Sequence, residues 1–98
     1  MIYKIVITPE AELDLEDAFN WYEQQMIGLG SEFIRAVDTS FSTIQRNPFA
    51  YPIVHQELRR KLIRKFPYGL IYIIVDETIS VIGCFHVKRD PQQWERRL

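Results

Sequence analysis

The chain has 98 residues, of which 47% are hydrophobic and 26% charged, with one cysteine and a formal net charge of −1. This length favours a single domain over residues 1–98, and the composition excludes a disordered chain, an internal disulfide and a membrane-spanning helix. His55, His86 and Cys84 make no zinc-type spacing, so we expect no metal and no cofactor, and the N-terminus lacks the pattern of a signal peptide, so we expect a cytoplasmic protein.

The first half of the chain predicts a strand followed by two helices. Residues 2–7 are rich in β-branched side chains, and Thr8 and Pro9 then suit the cap and first position of a helix. Apolar residues at helical spacing follow, from Leu15 to Met26. The turn at 28–30 ends this helix, Ser31 is the expected cap of a second helix, and residues 47–48 (Asn-Pro) end that one. The pattern predicts an antiparallel αα-hairpin.

The second half predicts three strands and a short helix. Residues 48–57 contain two prolines and are expected to form a loop. Strands are expected at Leu58–Phe66, Gly69–Val75 and Thr78–His86, with a turn at 76–77. Asp90 and Pro91 then suit the cap and first residue of a final helix.

The predicted element order is therefore β-α-α-β-β-β-α, an α+β fold with four strands. The helical hairpin must bury its apolar stripe on one face of the sheet. The last two strands are apolar on both faces, so the opposite face also needs cover. We expect the C-terminal helix, through Trp94 and Leu98, to cover part of it and a partner protein to cover the rest.

Basic residues are concentrated in the second half of the chain. Residues 1–49 carry three basic and eight acidic groups, whereas residues 50–98 carry nine basic and five acidic groups. Five of the cations fall within seven residues of the predicted second strand, where alternation places Arg60 and Arg64 on one face and Arg59, Lys61 and Lys65 on the other. These side chains either bind phosphates or protect an exposed sheet edge from aggregation.

A second cluster lies at the end of the last strand. His86 is expected on the same strand face as Ser80, Ile82 and Cys84, and Lys88 and Arg89 follow it. A histidine beside arginines can exchange protons next to a bound phosphate, although a purely structural histidine is the alternative. Trp94 and Arg97 form an exposed-looking group at the C-terminus that either packs as an anchor or contacts a target.

The ordered set of these motifs resembles the RelE/ParE toxin superfamily of type II toxin–antitoxin systems. The resemblance covers essentially the whole chain and rests on Thr8-Pro9-Glu10-Ala11, Trp21-Tyr22-Glu23, Phe66-Pro67-Tyr68 and the ending His86-x-x-Arg89-Asp90-Pro91-x-x-Trp94-x-x-Arg97. The last two motifs are similar to the ParE-like, or plasmid-stabilisation, branch. The resemblance implies a twisted, mainly antiparallel sheet with the helical hairpin on one face, and a small antitoxin that wraps and neutralises the toxin.

The resemblance leaves the target open between two branches and a third alternative. ParE-like members bind DNA gyrase and trap it on DNA, and this activity is our first expectation. RelE-like members act on the ribosome as mRNA endoribonucleases, so whether the chain is an enzyme is not decided by the sequence. An inactive toxin-fold protein that only binds its antitoxin is the third alternative. A homodimer and a toxin–antitoxin hetero-oligomer are both compatible with the family.

Each expected activity assigns roles to the basic residues. For a nuclease, His86 is the expected base and Arg60, Arg64 and Arg89 are the cations that stabilise the transition state. For either active toxin, contacts to the target or to nucleic acid are expected from a further set of residues: Arg59, Lys61, Lys65, Lys88, Trp94 and Arg97.

Overall fold

The computed structural model describes residues 3–97; Ile2 and Leu98, which the sequence placed in the first strand and over the sheet, lie outside them. The described elements are β1 (Lys4–Ile7), α1 (Pro9–Gln25), α2 (Leu29–Arg46), β2 (Ile53–His55), β3 (Leu58–Leu62), β4 (Tyr68–Val75), β5 (Thr78–His86) and α3 (Gln92–Glu95). The sheet order is β1-β5-β4-β3-β2, and only the β1–β5 pair is parallel. The predicted α+β class, helical hairpin and mainly antiparallel sheet are therefore confirmed.

The sheet differs from the prediction at its β2–β3 edge. Within residues 3–97 it has five strands and not four, because Ile53–His55 pairs with β3 inside the segment predicted to be a loop. Pro52 directly precedes this strand, a position that proline tolerates at a sheet edge. The following strand, β3, ends at Leu62 and not at Phe66. The chain turns at residues 63–67, where Lys65 has a φ of 72°.

The start of α1 follows the predicted capping chemistry. The Thr8 side chain accepts a hydrogen bond from the Ala11 N–H at 3.2 Å, and Pro9 is the first helical residue. Proline fits there because its missing N–H would have no partner inside the helix. The buried face of α1 carries Ala11, Ala18 and Tyr22, whereas Met26, expected in the apolar stripe, lies past the helix end and is 65% exposed.

The turn between the helices is capped by Glu23 and not by the expected Ser31. The Glu23 carboxylate accepts the Gly28 N–H at 3.0 Å and the Gly30 N–H at 3.0 Å. Gly28 has a φ of 91°, which favours glycine, and it is the N-cap of α2. Ser31 lies within the first turn of α2 and is exposed. The last turn of one helix therefore supplies the acceptor for the free amides of the next.

The main core lies between the hairpin and one face of the sheet. Its aromatic centre is Phe33, fully buried, with Tyr22 and Phe66 at ring distances of 5.3 Å and 5.2 Å. The Tyr72 hydroxyl is also buried there and donates to the Pro48 carbonyl at 2.6 Å. The aliphatic members of this core are Val37, Ile44, Leu70, Ile79 and Val81.

A β-bulge in β5 changes which residues share a face. Ile71 pairs with Gly83 and Tyr72 with Val81, so β5 has one additional residue between them. Beyond the bulge the alternation is inverted, and Ile82 and Phe85 lie on the open face of the sheet while Cys84 belongs to the helix-side core. The predicted common face of Ser80, Ile82, Cys84 and His86 is therefore wrong.

The open face of the sheet is covered in part by α3. Trp94 is buried there against a second apolar cluster formed by Leu58, Ile71, Ile82 and Phe85. Helix α3 begins one residue later than expected, at Gln92, and Asp90 accepts the Gln92 N–H at 2.9 Å. Val75 lies on the same face, away from Trp94, and is 57% exposed. The cover by the chain itself is thus partial.

Candidate functional site

The cations of β3 point to opposite sides of the sheet. Arg60 lies on the open face, and Arg59 and Lys61 lie on the helix side. Arg59 donates to the carbonyls of Phe49 and Tyr51 at 3.2 Å and 2.6 Å, and its guanidinium stacks on the Phe49 ring at 5.2 Å. These contacts fix the segment that follows α2, so Arg59 has a structural use that the sequence did not reveal.

Arg60, His86 and Arg89 line one small cavity of about 50 Å³ on the open face. The side chain of Arg60 lies flat across Gly69, where a Cβ would be 3.0 Å from both Cγ and Cδ of the arginine. Trp94 and Phe85 close the apolar side of the cavity. Two arginines at one small opening, with His86 at its border, form a candidate site for a single anionic group.

His86 is held by its neighbours at the rim of this cavity. Its Nδ1 accepts the Lys88 N–H at 3.1 Å, and its ring contacts Tyr68 edge-on at 5.3 Å. Arg89 donates from its backbone to the His86 carbonyl at 2.9 Å and from its side chain to Gln93 at 3.1 Å. A neutral imidazole that accepts at Nδ1 carries its proton on Nε2. Because His86 pairs with Tyr68 of the helix-side core and its ring contacts the Tyr68 ring, the imidazole leans towards the helix side of β5 while the residue borders the cavity.

Arg64 does not join this site. It was expected beside Arg60, but β3 ends at Leu62 and the turn carries Arg64 to the helix side. There it borders a larger groove of about 870 Å³ between α2 and the β3–β4 turn, together with Lys61, Lys65 and Phe66. The expected set of catalytic cations is therefore divided between two faces of the sheet.

The C-terminal residues are less available than the sequence suggested. Trp94 is 6% exposed and packs in the open-face cluster, so it is an anchor of α3. Arg97 forms an ion pair with Asp14 on α1 and stacks on the Phe85 ring at 4.5 Å. Lys88 is exposed beside His86.

His55, expected at the surface, is partly buried and lies 3.4 Å from the Glu95 carboxylate.

Burial raises the pKa of several acidic groups near the helix-side core. It raises the pKa of the Tyr22 and Tyr68 hydroxyls, with smaller contributions from neighbouring groups. Burial, with the nearby Asp14 carboxylate, raises the pKa of the Cys84 thiol to about 12. These groups stay protonated near neutral pH, so they do not supply a base beside His86.

Two kinds of site are not found in the part of the chain that the structure describes. No helix among residues 3–97 is long and apolar enough to cross a membrane. No group of three or more His, Cys, Asp and Glu side chains there is arranged to hold a metal ion.

Solved structures share this fold. A chromosomal ParDE toxin–antitoxin system from P. aeruginosa aligns with a TM-score of 0.78 and 11% identity, covering 87% of this chain and 96% of that one. The isolated E. coli RelE toxin aligns with a TM-score of 0.65 and 17% identity, covering 96% and 94%. The toxin–antitoxin complex RelBE2 from M. tuberculosis aligns with a TM-score of 0.61 and 20% identity, covering 88% and 99%.

Sequence comparison identifies the family. No curated protein sequence matches the chain significantly. The family model for the ParE toxin of type II toxin–antitoxin systems, however, matches residues 5–91, from β1 to the residue before α3. Because this match spans nearly the whole chain, the chain belongs to the ParE toxin family of type II toxin–antitoxin systems.

Proposed function

We propose that this ParE-type toxin arrests growth by poisoning DNA gyrase and is neutralised by a cognate antitoxin. The observation that carries the proposal is the match of the ParE family model to residues 5–91. The ParDE structure also has a higher TM-score than the RelE structure, 0.78 against 0.65. Gyrase is the target that the ParE-like resemblance of the sequence implies.

The geometry of His86 agrees with a toxin that performs no hydrolysis of its own. A ribonuclease that uses the 2′-hydroxyl of RNA as nucleophile needs a group that accepts the hydroxyl proton. In His86 the unprotonated nitrogen, Nδ1, already accepts the Lys88 N–H at 3.1 Å. The nitrogen that remains available bears a proton, so the imidazole is suited to binding an anion and not to removing a proton.

The distribution of the cations supports the same proposal. A nuclease site needs several cations around one phosphate to stabilise the charge of the transition state. Arg60 and Arg89 meet at the small cavity, but Arg64, Lys61 and Lys65 border the groove on the other side of the sheet. Two arginines can bind an anionic group of a target, which is enough for a binding toxin.

A ribosome-dependent ribonuclease is the second candidate, favoured by one observation. Arg60 on β3 and the segment from His86 to Arg89 at the end of β5 are far apart in the sequence and line the same cavity. If the Lys88 N–H is displaced when RNA binds, His86 gains a free nitrogen to act as base. Arg60 and Arg89 would then stabilise the charge on the attacked phosphate.

Two assays on the same purified protein distinguish a gyrase poison from a ribosome-dependent ribonuclease. In the first, gyrase supercoils relaxed plasmid in the presence of the toxin, and linear plasmid is measured after protein denaturation. In the second, an mRNA is translated in a reconstituted system and its cleavage is mapped. We expect loss of supercoiling with accumulation of linear DNA, and intact mRNA. Cleaved mRNA with unaffected gyrase would overturn the proposal, and no effect in either assay or on growth would favour the inactive protein.

The variant His86→Gln sharpens the result, with His55→Gln as the matched control. Glutamine can still donate a hydrogen bond to an anion but cannot act as a base at neutral pH. A gyrase poison should therefore retain most of its potency in His86→Gln, whereas a nuclease that uses His86 should lose cleavage. His55 lies on β2, 3.4 Å from the Glu95 carboxylate, and does not line the cavity, so its variant should behave like the wild type in both assays.

A further inference from the structure

The solvent side of α1 carries two large apolar side chains that the rest of the chain leaves uncovered. Leu13 is 60% exposed and Trp21 is 54% exposed. Asp17 is exposed between them, one helical turn from each, so the three side chains form a row of about 12 Å along the helix. This row, with Glu10 and Glu16 beside it, is the α1 outer face. The opposite side of the helix packs on the core.

The charge of α1 is entirely negative. The helix contains six carboxylates and neither lysine nor arginine. Asp14 pairs with Arg97, and Glu23 accepts the free N–H groups of the turn between the helices. The remaining four carboxylates are exposed and lie outside the ion pairs found among residues 3–97: Glu10, Glu12, Glu16 and Asp17. The helix therefore presents unpaired negative charge around its exposed apolar side chains.

Helix stability and solubility explain only part of this composition. Glu10 and Glu12 lie in the first turn, where carboxylates stabilise the positive end of the helix dipole. Glu16 and Asp17 lie beyond the first turn, where that effect has fallen off. Solubility accounts for further charge but not for Trp21, since an exposed indole is unfavourable in water. The combination of an exposed tryptophan with surplus carboxylates is the composition of a binding surface.

Trp21 is held in position before any partner arrives. Its ring contacts the Tyr22 ring edge-on at a centroid distance of 5.1 Å, and Tyr22 is buried in the core. A side chain that is already supported in this way loses less conformational freedom when a partner covers it. Tryptophan is also among the residues most enriched at the energetic centres of protein interfaces. Trp21 is therefore suited to anchor a protein partner.

We propose that the α1 outer face docks on a lysine- and arginine-rich protein surface of the gyrase that the toxin poisons. Trp21 and Leu13 supply the apolar contact, and the carboxylates beside them pair with cations of the target. Charge complementarity identifies this occupant, because an enzyme that binds DNA presents lysines and arginines to the phosphates and is basic around the duplex. The proposal rests on gyrase as the target and adds the surface by which the toxin recognises it.

The α1 outer face and the open-face cavity can be used at the same time. Helix α1 packs on one face of the sheet, and the cavity lined by Arg60 and Arg89 opens on the other. The acidic side repels nucleic acid and attracts a basic protein, whereas the two arginines attract an anionic group. A toxin that holds an enzyme on DNA has to bind a basic protein beside a polyanion, and these two faces of opposite charge are compatible with that position.

Charge reversal on α1 tests the proposal. The probe is purified gyrase holoenzyme, titrated with the full-length toxin at low salt. Glu16→Lys combined with Asp17→Lys should weaken binding by about tenfold or more, because two attractive contacts become repulsive. The matched control, Glu57→Lys with Glu77→Lys, makes the same charge change at exposed positions in turns outside α1 and should bind as the wild type does.

A second pair of variants changes the apolar contact and leaves the charge unchanged. Trp21→Ala should weaken binding to gyrase by about tenfold or more, since it removes the anchor of the surface. Ile53 is 56% exposed on β2, away from α1, so Ile53→Ala should leave the affinity unchanged. Circular dichroism verifies that each variant is folded before it is titrated.

Weaker binding of both α1 variants, with unchanged controls and with wild-type binding that falls as salt is added, supports the proposal. Wild-type affinity of both α1 variants overturns it. A toxin dimer at low salt that the α1 variants abolish, with gyrase binding retained, also overturns it and assigns the surface to a second copy of the chain. If the wild type itself leaves gyrase unaffected, the proposed function fails. If the wild type and the α1 variants poison gyrase equally, the docking surface alone fails.

Discussion

The Arg97 guanidinium binds the Asp14 carboxylate through both of its terminal nitrogens, at 2.5 Å and 3.1 Å, and so joins the C-terminal segment to α1. The same two side chains also form hydrogen bonds with backbone groups at the edge of β5. Arg97 donates to the Ile82 carbonyl at 3.0 Å, and Asp14 accepts the Cys84 N–H at 3.0 Å. The β1–β5 pairing ends at Val81, so these side chains satisfy backbone groups that no strand reaches.

We expect that Arg97→Gln lowers the free energy of unfolding by about 1–3 kcal/mol. The pair is partly exposed, with side-chain exposures of 25% and 15%, so its loss should cost less than that of a fully buried pair. The substitution also removes a hydrogen bond to the Ile82 carbonyl and the cation–π contact with Phe85. Urea denaturation followed by tryptophan fluorescence provides the measurement.

The neighbouring arginine is the control for this prediction. Arg96 is exposed and outside the ion pair, so Arg96→Gln should change stability by less than about 0.5 kcal/mol. Asp14→Asn should be destabilising like Arg97→Gln, and the double variant should cost less than the sum of the two. Additive effects would show that the two side chains stabilise the protein independently of each other.

The turn between the helices provides a second prediction. Glu23→Ala should lower the free energy of unfolding by about 1–2 kcal/mol, because the free N–H groups of Gly28 and Gly30 lose their acceptor. Ser31→Ala should be nearly neutral, since Ser31 is exposed and lies inside α2. Thermal unfolding of the two variants compares them directly. A larger loss in Ser31→Ala than in Glu23→Ala would show that Ser31 is the cap after all.

Local chemistry explains why much of the fold was predictable. Thr8 and Pro9 begin α1, and the β4–β5 turn falls between Val75 and Thr78, because capping and turn preferences act over three or four residues. The Glu23 cap was not predictable in this way, since its partner amides lie five and seven residues along the chain. The β5 bulge depends on the register against β4, which is a tertiary property.

The candidate site was predictable to the same limited extent. Arg60, His86 and Arg89 were expected together and do line one cavity. Arg64 was predicted on the wrong face of the sheet, because the alternation of faces was continued to Phe66 whereas β3 ends two residues before Arg64. The ion pair of Arg97 joins residues 83 positions apart, so no local pattern could show that this arginine is engaged.

The buried thiol of Cys84 provides a prediction about alkaline pH. Burial, with a contribution from the Asp14 carboxylate, raises its pKa from 9.0 to about 12, and burial raises the pKa of Tyr72 from 10.0 to about 12. Above pH 9 the unfolded chain therefore loses protons that the folded chain retains. The unfolded state then binds fewer protons, so stability falls as pH rises from about 9 towards 12.

Urea denaturation at pH 8 and at pH 10 measures this effect. We expect the wild type to lose about 1 kcal/mol or more between these values, since a full difference of one proton corresponds to about 1.4 kcal/mol per pH unit. Cys84→Ala should lower stability at pH 8 but should show a smaller loss between pH 8 and pH 10. An equal loss in both proteins would assign the alkaline effect to other groups.

The roles of the two basic surfaces, the open-face cavity and the α2 groove, should be distinguished when one arginine of each is removed. Arg60→Ala should raise the induction level needed for growth arrest by about tenfold, because it removes one of two guanidinium groups from the cavity with His86, and it should leave antitoxin binding intact. Arg64→Ala should leave toxicity unchanged, since Arg64 borders the α2 groove and not this cavity. The two variants remove the same type of side chain, so each is the control for the other. Full toxicity of Arg60→Ala would mean that the strand cations only protect the sheet edge from aggregation, and the cavity would then have no part in the action on the target.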